Sequence, residues 1–173
     1  MENTKSRTSV GEQCSYYETV KSKQNIVMTL AEFVTAIRSD RWRQPVEDYR
    51  KLMQEDKKSE AKSIKDRMPG LVVAGVCEGG HSKANFRSFS GCMMVDIDHY
   101  EGDVGLLLSR FRRMPWCKAG WESISGKGAK VIVLILATTL EEYEKQAYPI
   151  VARAITRLFD LPVDIQCKDL SRV

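Results

Sequence analysis

The run Cys92-Met-Met-Val-Asp-Ile-Asp98 closes a short apolar stretch with two aspartates one residue apart. In a strand, alternate side chains share a face. Asp96 and Asp98 would then point one way, and Val95 and Ile97 the other. Two neighbouring carboxylates repel unless a positive charge sits between them. Their oxygens suit a hard divalent cation, Mg²⁺ or Mn²⁺. Asp98 also stands where the strand should end, ahead of His99-Tyr100-Glu101-Gly102-Asp103, and functional sites collect at such ends. The plainer alternative is two solvated acids at a strand terminus.

A second feature is Ser125-Gly126-Lys127-Gly128-Ala129-Lys130, which joins two apolar stretches. Its glycines let backbone N–H groups approach an anion, and its lysines add point charges for phosphate. It is not a P-loop: no Ser or Thr follows Lys127, and a strand follows where a helix is required. A hairpin turn with solvated lysines is the alternative. Asp164, after Val163 and ahead of Lys168, Asp169 and Arg172, opens the last β-like stretch. It matters for chemistry only if the fold brings it beside Asp96 and Asp98. Cys77 and His81 have C-x₃-H spacing and could seed a zinc site with Cys92, but no second spaced pair exists. His99 could meet phosphate or simply end the strand. Arg110, Arg112 and Arg113, near Phe111 and Trp116, form a basic-aromatic patch that suits a nucleic-acid backbone. Solvated helix arginines are the alternative reading.

These residues need a scaffold. With 173 residues and 43% hydrophobic content the chain can bury a core and is not a disordered or collagen-like sequence. Its net charge of +4 permits a nucleic-acid partner without demanding one. The longest apolar run, Val131–Ala137, is far too short for a membrane span. The polar N-terminus has no apolar segment of a secretory signal, and five irregularly spaced cysteines fit a reducing cytoplasm.

The pattern predicts a tail over 1–13, short strands at 15–20 and 25–28, and a helix over 29–38 opened by a Thr29/Glu32 capping box. Helices follow at about 45–55, with Pro45 in its first turn, and 60–67. The charge run DKKSEAKSIKDR belongs to a solvated face, or else to a lid or partner-binding arm. After Gly70 the order reads β-β-α-β-β-α-β, with strands at 71–74, 92–98, 118–124, 131–136 and from 163, and helices at 103–113 and 140–159. This is an α+β arrangement, helices on one face of a mostly antiparallel sheet. Val131–Leu136 is apolar throughout and should be a central strand covered on both faces. Pro149 must kink or split the last helix.

Together, hhhDID, SGKGxK entering an apolar strand, a long helix, and hD…KDxSR resemble one family. It is the N-terminal domain found before VirE-type regions in bacterial mobile-element proteins, itself similar to the archaeo-eukaryotic primase-polymerase superfamily. The resemblance covers about 14–173, including MPGLVVAG, and is strongest at SGCMMVDIDHY, SISGKGAKVIVLI and VDIQCKDLSRV. It implies an N-terminal helical α/β part over 14–69 and a primase-like core with an RRM-like sheet over 70–173, whose edge would continue past Val173.

It further implies a metal-dependent nucleotidyltransferase acting on DNA in mobile-element replication. Asp96, Asp98 and Asp164 would be the catalytic acids holding Mg²⁺ or Mn²⁺. Ser125, Gly126, Lys127, Gly128, Lys130 and Arg172 would bind a nucleoside triphosphate. Arg110, Arg112 and Arg113 would contact the backbone of single-stranded DNA, with a helicase domain as a further partner. Lys130 stands where the superfamily usually has a histidine. The alternatives are a catalytically inactive module that binds single-stranded nucleic acid or a helicase, and, behind it, a two-metal nuclease.

Overall fold

The computed structural model describes residues 12–161, 163 and 169. Strand β1 (Gln13–Tyr17) pairs antiparallel with β2 (Ile26–Thr29). Thr29 ends β2 and caps α1 (Leu30–Arg38): its hydroxyl accepts from the Glu32 N–H, and the Glu32 carboxylate accepts from the Thr29 N–H at 2.7 Å. That is the reciprocal capping box read from the sequence. A 3₁₀ turn (Asp40–Trp42) leads into α2 (Arg43–Gln54), with Pro45 in the first turn, where no backbone N–H is needed. Helix α3 (Lys58–Lys65) follows. Charges of α3 and of the residues flanking it pair through Lys57–Glu55, Lys58–Asp56 and Lys62–Asp66, as on a solvated face.

Strand β3 (Gly70–Val72) returns to β1, so the first sheet has the order β2-β1-β3. Two short strands absent from the sequence reading come next, β4 (Gly75–Cys77) and β5 (Phe86–Phe89), paired as a second sheet. β4 is too short to show a period, and its pairing with β5 crosses a glycine-rich loop. The third sheet contains β6 (Cys92–Ile97), β7 (Cys117–Glu122) and β8 (Ala129–Leu134), all antiparallel in the order β6-β8-β7. Helix α4 (Val104–Arg112) connects β6 to β7, capped by the Asp103 carboxylate on the Leu106 N–H. The single sheet expected after Gly70 is thus divided: among the described residues the fold is α+β with three small antiparallel sheets.

β8 is central, and Val131, Ile132 and Val133 are completely buried. Its two faces lie in different apolar clusters. Val131 and Val133 pack with Val95, Ile97, Leu107 and Phe111 and with the last helix. Ile132 packs with Cys92, Cys14, Leu30 and Phe33 of the N-terminal part. Two-sided cover therefore holds for the middle of the run but not its end: the strand stops at Leu134, and Leu136 is fully exposed.

The last helix is divided as Pro149 requires. An α turn, α5 (Leu140–Glu142), passes into a π turn (Tyr143–Ala147) and then α6 (Tyr148–Phe159), which carries Pro149 at its start. A widened turn ahead of the proline accommodates its missing N–H and its ring. Most of the strand expected from Val163 lies outside the described residues; Val163 itself is buried. Among the described residues no helix is long and apolar enough to cross a membrane.

Candidate functional site

Asp96 and Lys130 face each other across β6 and β8. Asp96 is two residues from Met94, and Lys130 two from Ile132. Strand alternation therefore places the pair on the sheet face that the N-terminal part covers. The Lys130 Nζ donates to Asp96 Oδ2 at 2.7 Å, with only 15% of the aspartate side chain exposed. Asp96 Oδ1 is buried and has no hydrogen-bond partner among the described residues. A buried carboxylate oxygen without a donor is costly. The site therefore combines one neutralised oxygen with one that makes no hydrogen bond among the described residues. Trp121 of β7 is the other cross-strand neighbour of Lys130.

Asp98 follows the last residue of β6 and is exposed, and His99 turns the chain with φ 53°. The turn between β7 and β8 abuts this corner. A Cβ on Gly128 would sit 2.2 Å from the Ile97 carbonyl oxygen and 3.3 Å from Asp98 Cα, so only glycine lets the two backbones approach. Tyr100 N–H donates to the Lys127 carbonyl at 2.9 Å, which joins the segment after Asp98 to the same turn.

The turn has already used some of its donors. Gly126 N–H goes to the Ser123 carbonyl, and Lys127 N–H to the Ser125 hydroxyl at 3.3 Å. Those two groups cannot also cradle an anion. The Lys127 ammonium is exposed, whereas Lys130 is already committed to Asp96. Sequence reading missed Arg50 of α2. Its guanidinium donates to the carbonyls of Ile124 (3.0 Å) and Ser123 (3.2 Å) and pairs with Glu122 at 3.1 Å. Nothing local marks Arg50, because its partners lie more than seventy residues along the chain. A cleft of about 400 Å³ opens beside the turn, between Glu122, Gly126 and the first turn of α4.

The other candidates are dispersed. Arg110 donates to the Leu158 carbonyl at 3.1 Å and lies 4.8 Å over the Phe159 ring, so it fastens α4 to α6. Arg112 and Arg113 are exposed. His81 contacts the Val20 carbonyl and the Tyr17 ring, and Cys77 and Cys92 belong to different apolar clusters. Among the described residues no three His, Cys, Asp or Glu side chains gather as a metal site. Asp164 and Arg172 lie outside the described residues, as does Lys168.

The buried thiols behave as small apolar groups. Burial pushes Cys14 up to about 12 and Cys92 up to about 11, which keeps both protonated. In a thiol-labelling time course at pH 8, half-buried Cys117 should react before Cys14 and Cys92, which should react only on unfolding. Prompt labelling of Cys14 or Cys92 in the folded protein would contradict this.

No curated protein and no solved structure matches the chain. The family described as BT4734-like, N-terminal domain matches residues 63–173. The matched stretch includes β6, the β7–β8 turn, Asp96, Asp98 and Lys130 and spans well over half of the sequence, so the protein belongs to the BT4734-like N-terminal domain family.

Proposed function

We propose that this domain is a primase-polymerase-like nucleotidyltransferase module acting on DNA in mobile-element replication, in the cytoplasm. The observation that carries the reading is Asp96: a carboxylate with one orphaned buried oxygen, set opposite Lys130 at the start of β8. Two strands presenting an acid and a cation from neighbouring positions, with Asp98 next along the chain, suit a nucleotide's phosphates and their counter-ion. Asp96, through Oδ1, and Asp98 would hold Mg²⁺ or Mn²⁺, joined by Asp164 as the family resemblance implies. A divalent ion held there supplies charge neutralisation and activation of a hydroxyl nucleophile.

The chain's own residues do the rest. Gly128 and Tyr100 hold the turn against the end of β6, so Lys127 and Asp98 stay close to one another in the fold. Lys127 offers phosphate an exposed ammonium that has no ion pair among the described residues. Lys130 fixes the Asp96 carboxylate in a largely buried setting, with its ammonium 2.7 Å from Oδ2.

The test is incorporation of labelled nucleotides on primed and unprimed templates with Mn²⁺, comparing parent, Asp96→Ala and Asp98→Asn. Both variants should lose about 100-fold or more, the scale on which positioned electrostatic groups act. No incorporation by the parent, or equal incorporation by the variants, would sink the catalytic reading. One observation favours a second: the Lys130–Asp96 pair already satisfies part of the acid site, as expected of a fold that binds single-stranded nucleic acid or a helicase without chemistry.

A further inference from the structure

Two groups of basic residues in this protein differ in how they are paired. Those of α3 and its flanks are largely paired: Lys57, Lys58 and Lys62 each meet an acid, and Lys21 pairs with Asp66 at 2.6 Å. Those on α4 and α6 are not. Helix α4 and the residue after it contain Arg110, Arg112 and Arg113, and α6 contains Arg153 and Arg157; neither helix contains an acidic residue. Apart from Arg110, none of these side chains has an ion pair or hydrogen bond among the described residues.

The two helices belong to one layer. Phe111 of α4 stacks on Phe159 of α6 at 4.0 Å, and both contribute to the same core cluster. The core side of α6 is Tyr148, Ala152, Ile155 and Phe159. Arg153 and Arg157, four residues apart, therefore share a face turned from the core. Arg113 is likewise exposed, and α4 buries Leu107 and Phe111. Leucines and an isoleucine stand exposed among these arginines: Leu106 at 67%, Ile150 at 58% and Leu158 at 52%.

We infer that the outer face of the α4–α6 layer, centred on Arg113, Arg153 and Arg157, docks the backbone of a single-stranded nucleic acid. Unopposed arginines match a polyanion, and each phosphate contact releases condensed counterions. A duplex offers mainly phosphates to such a surface, whereas a single strand also offers apolar base faces, which fits aliphatic side chains exposed between the arginines. This surface lies across the third sheet from the Asp96–Lys130 pair. It shares with the proposed function only the expectation of a nucleic-acid partner, and needs neither metal nor nucleotide.

The experiment is fluorescence anisotropy of a labelled single-stranded 20-mer in EDTA, without nucleotide, over a salt series. Arg153→Glu/Arg157→Glu should weaken binding by about tenfold or more, and Arg153→Ala/Arg157→Ala should reduce the salt slope by about 1.4, two contacts' worth. Arg113→Glu should act in the same direction. Lys58→Glu/Lys62→Glu, the same charge change on the neutralised α3, should bind like the parent. Circular dichroism should show all variants folded, since Arg113, Arg153 and Arg157 have no ion pair or hydrogen bond among the described residues and the α3 pairs are exposed ones that add little stability. Equal loss from the α3 variant would mean net charge alone is at work and would overturn the inference. So would unchanged affinity in both α6 variants, a parent that binds anionic phosphatidylserine vesicles or polyglutamate but no oligonucleotide, or tighter binding to a duplex of the same sequence. Oligonucleotide binding without nucleotide incorporation would overturn only the catalytic reading. Incorporation with an unaffected Arg153→Glu/Arg157→Glu variant would overturn only this one.

Discussion

Lys130→Ala should leave a folded protein that is less stable than the parent yet binds Mn²⁺ more tightly. The ammonium lies 2.7 Å from Asp96 Oδ2, and the carboxylate's other oxygen is already orphaned. Removing the lysine strips the aspartate of its described partner. Breaking a fully buried pair costs about 3–5 kcal/mol; with the side chains 15% and 30% exposed, solvent reduces the loss to about 1–3 kcal/mol. The same deletion removes a cation from beside the oxygen a metal would use. At about 4 Å and an effective dielectric of about 20, that repulsion is about 4 kcal/mol per pair of unit charges. Even a third of it raises Mn²⁺ affinity about tenfold. Calorimetry with Mn²⁺ and thermal unfolding with and without the ion measure both effects. Added Mn²⁺ should restore more stability to the variant than to the parent, because a ligand that binds only the folded state stabilises it by mass action. Asp96→Asn/Lys130→Met should recover much of the lost stability without gaining affinity. A Lys130→Ala protein with parental Mn²⁺ affinity would show that the lysine does not occupy the cation's place.

Gly128→Ala should be the most damaging single methyl group in the third sheet. The added Cβ would lie 2.2 Å from a backbone oxygen of Ile97, an atom that cannot rotate aside. Relief requires β8 to move from β6 or the turn to lift from Asp98. Overpacking of this kind costs about 1–3 kcal/mol, and a backbone obstacle places it at the upper end. Chemical denaturation should show a lower midpoint with an unchanged slope. Lys127→Ala, one residue away and exposed, should unfold like the parent. If Gly128→Ala unfolds at the parental midpoint, the close approach of the two strands is not a real constraint.

What could be read before any coordinates was whatever depends on neighbours in sequence. Thr29 and Glu32 formed their box because both partners lie within one turn. Pro149 divided its helix because its ring acts on the preceding turn. The middle of β8 was legible because three consecutive apolar residues need cover on both faces. Lys130 was read as a phosphate ligand, and its commitment to Asp96 was not foreseen. That pairing depends on register between strands over thirty residues apart, which a pattern of types does not contain. Arg50 was silent for the same reason. The α6 arginines were overlooked because an arginine every fourth residue is an ordinary solvated stripe until the helix itself proves to hold no acid.

The Arg50 clasp bears on what holds the β7–β8 turn in place. Its guanidinium spans from α2 to the carbonyls of the β7–β8 turn. β1, from the same end of the chain, supplies the strand on which β3 pairs. The family-matched stretch begins at residue 63, after both. The matched stretch is therefore tied to what precedes it: its turn is tethered, and one of its strands completed, by residues upstream of it. Distant closures carry the larger chain-entropy cost, so Arg50→Ala should loosen the β7–β8 turn, read as faster amide exchange there, while leaving α2 intact.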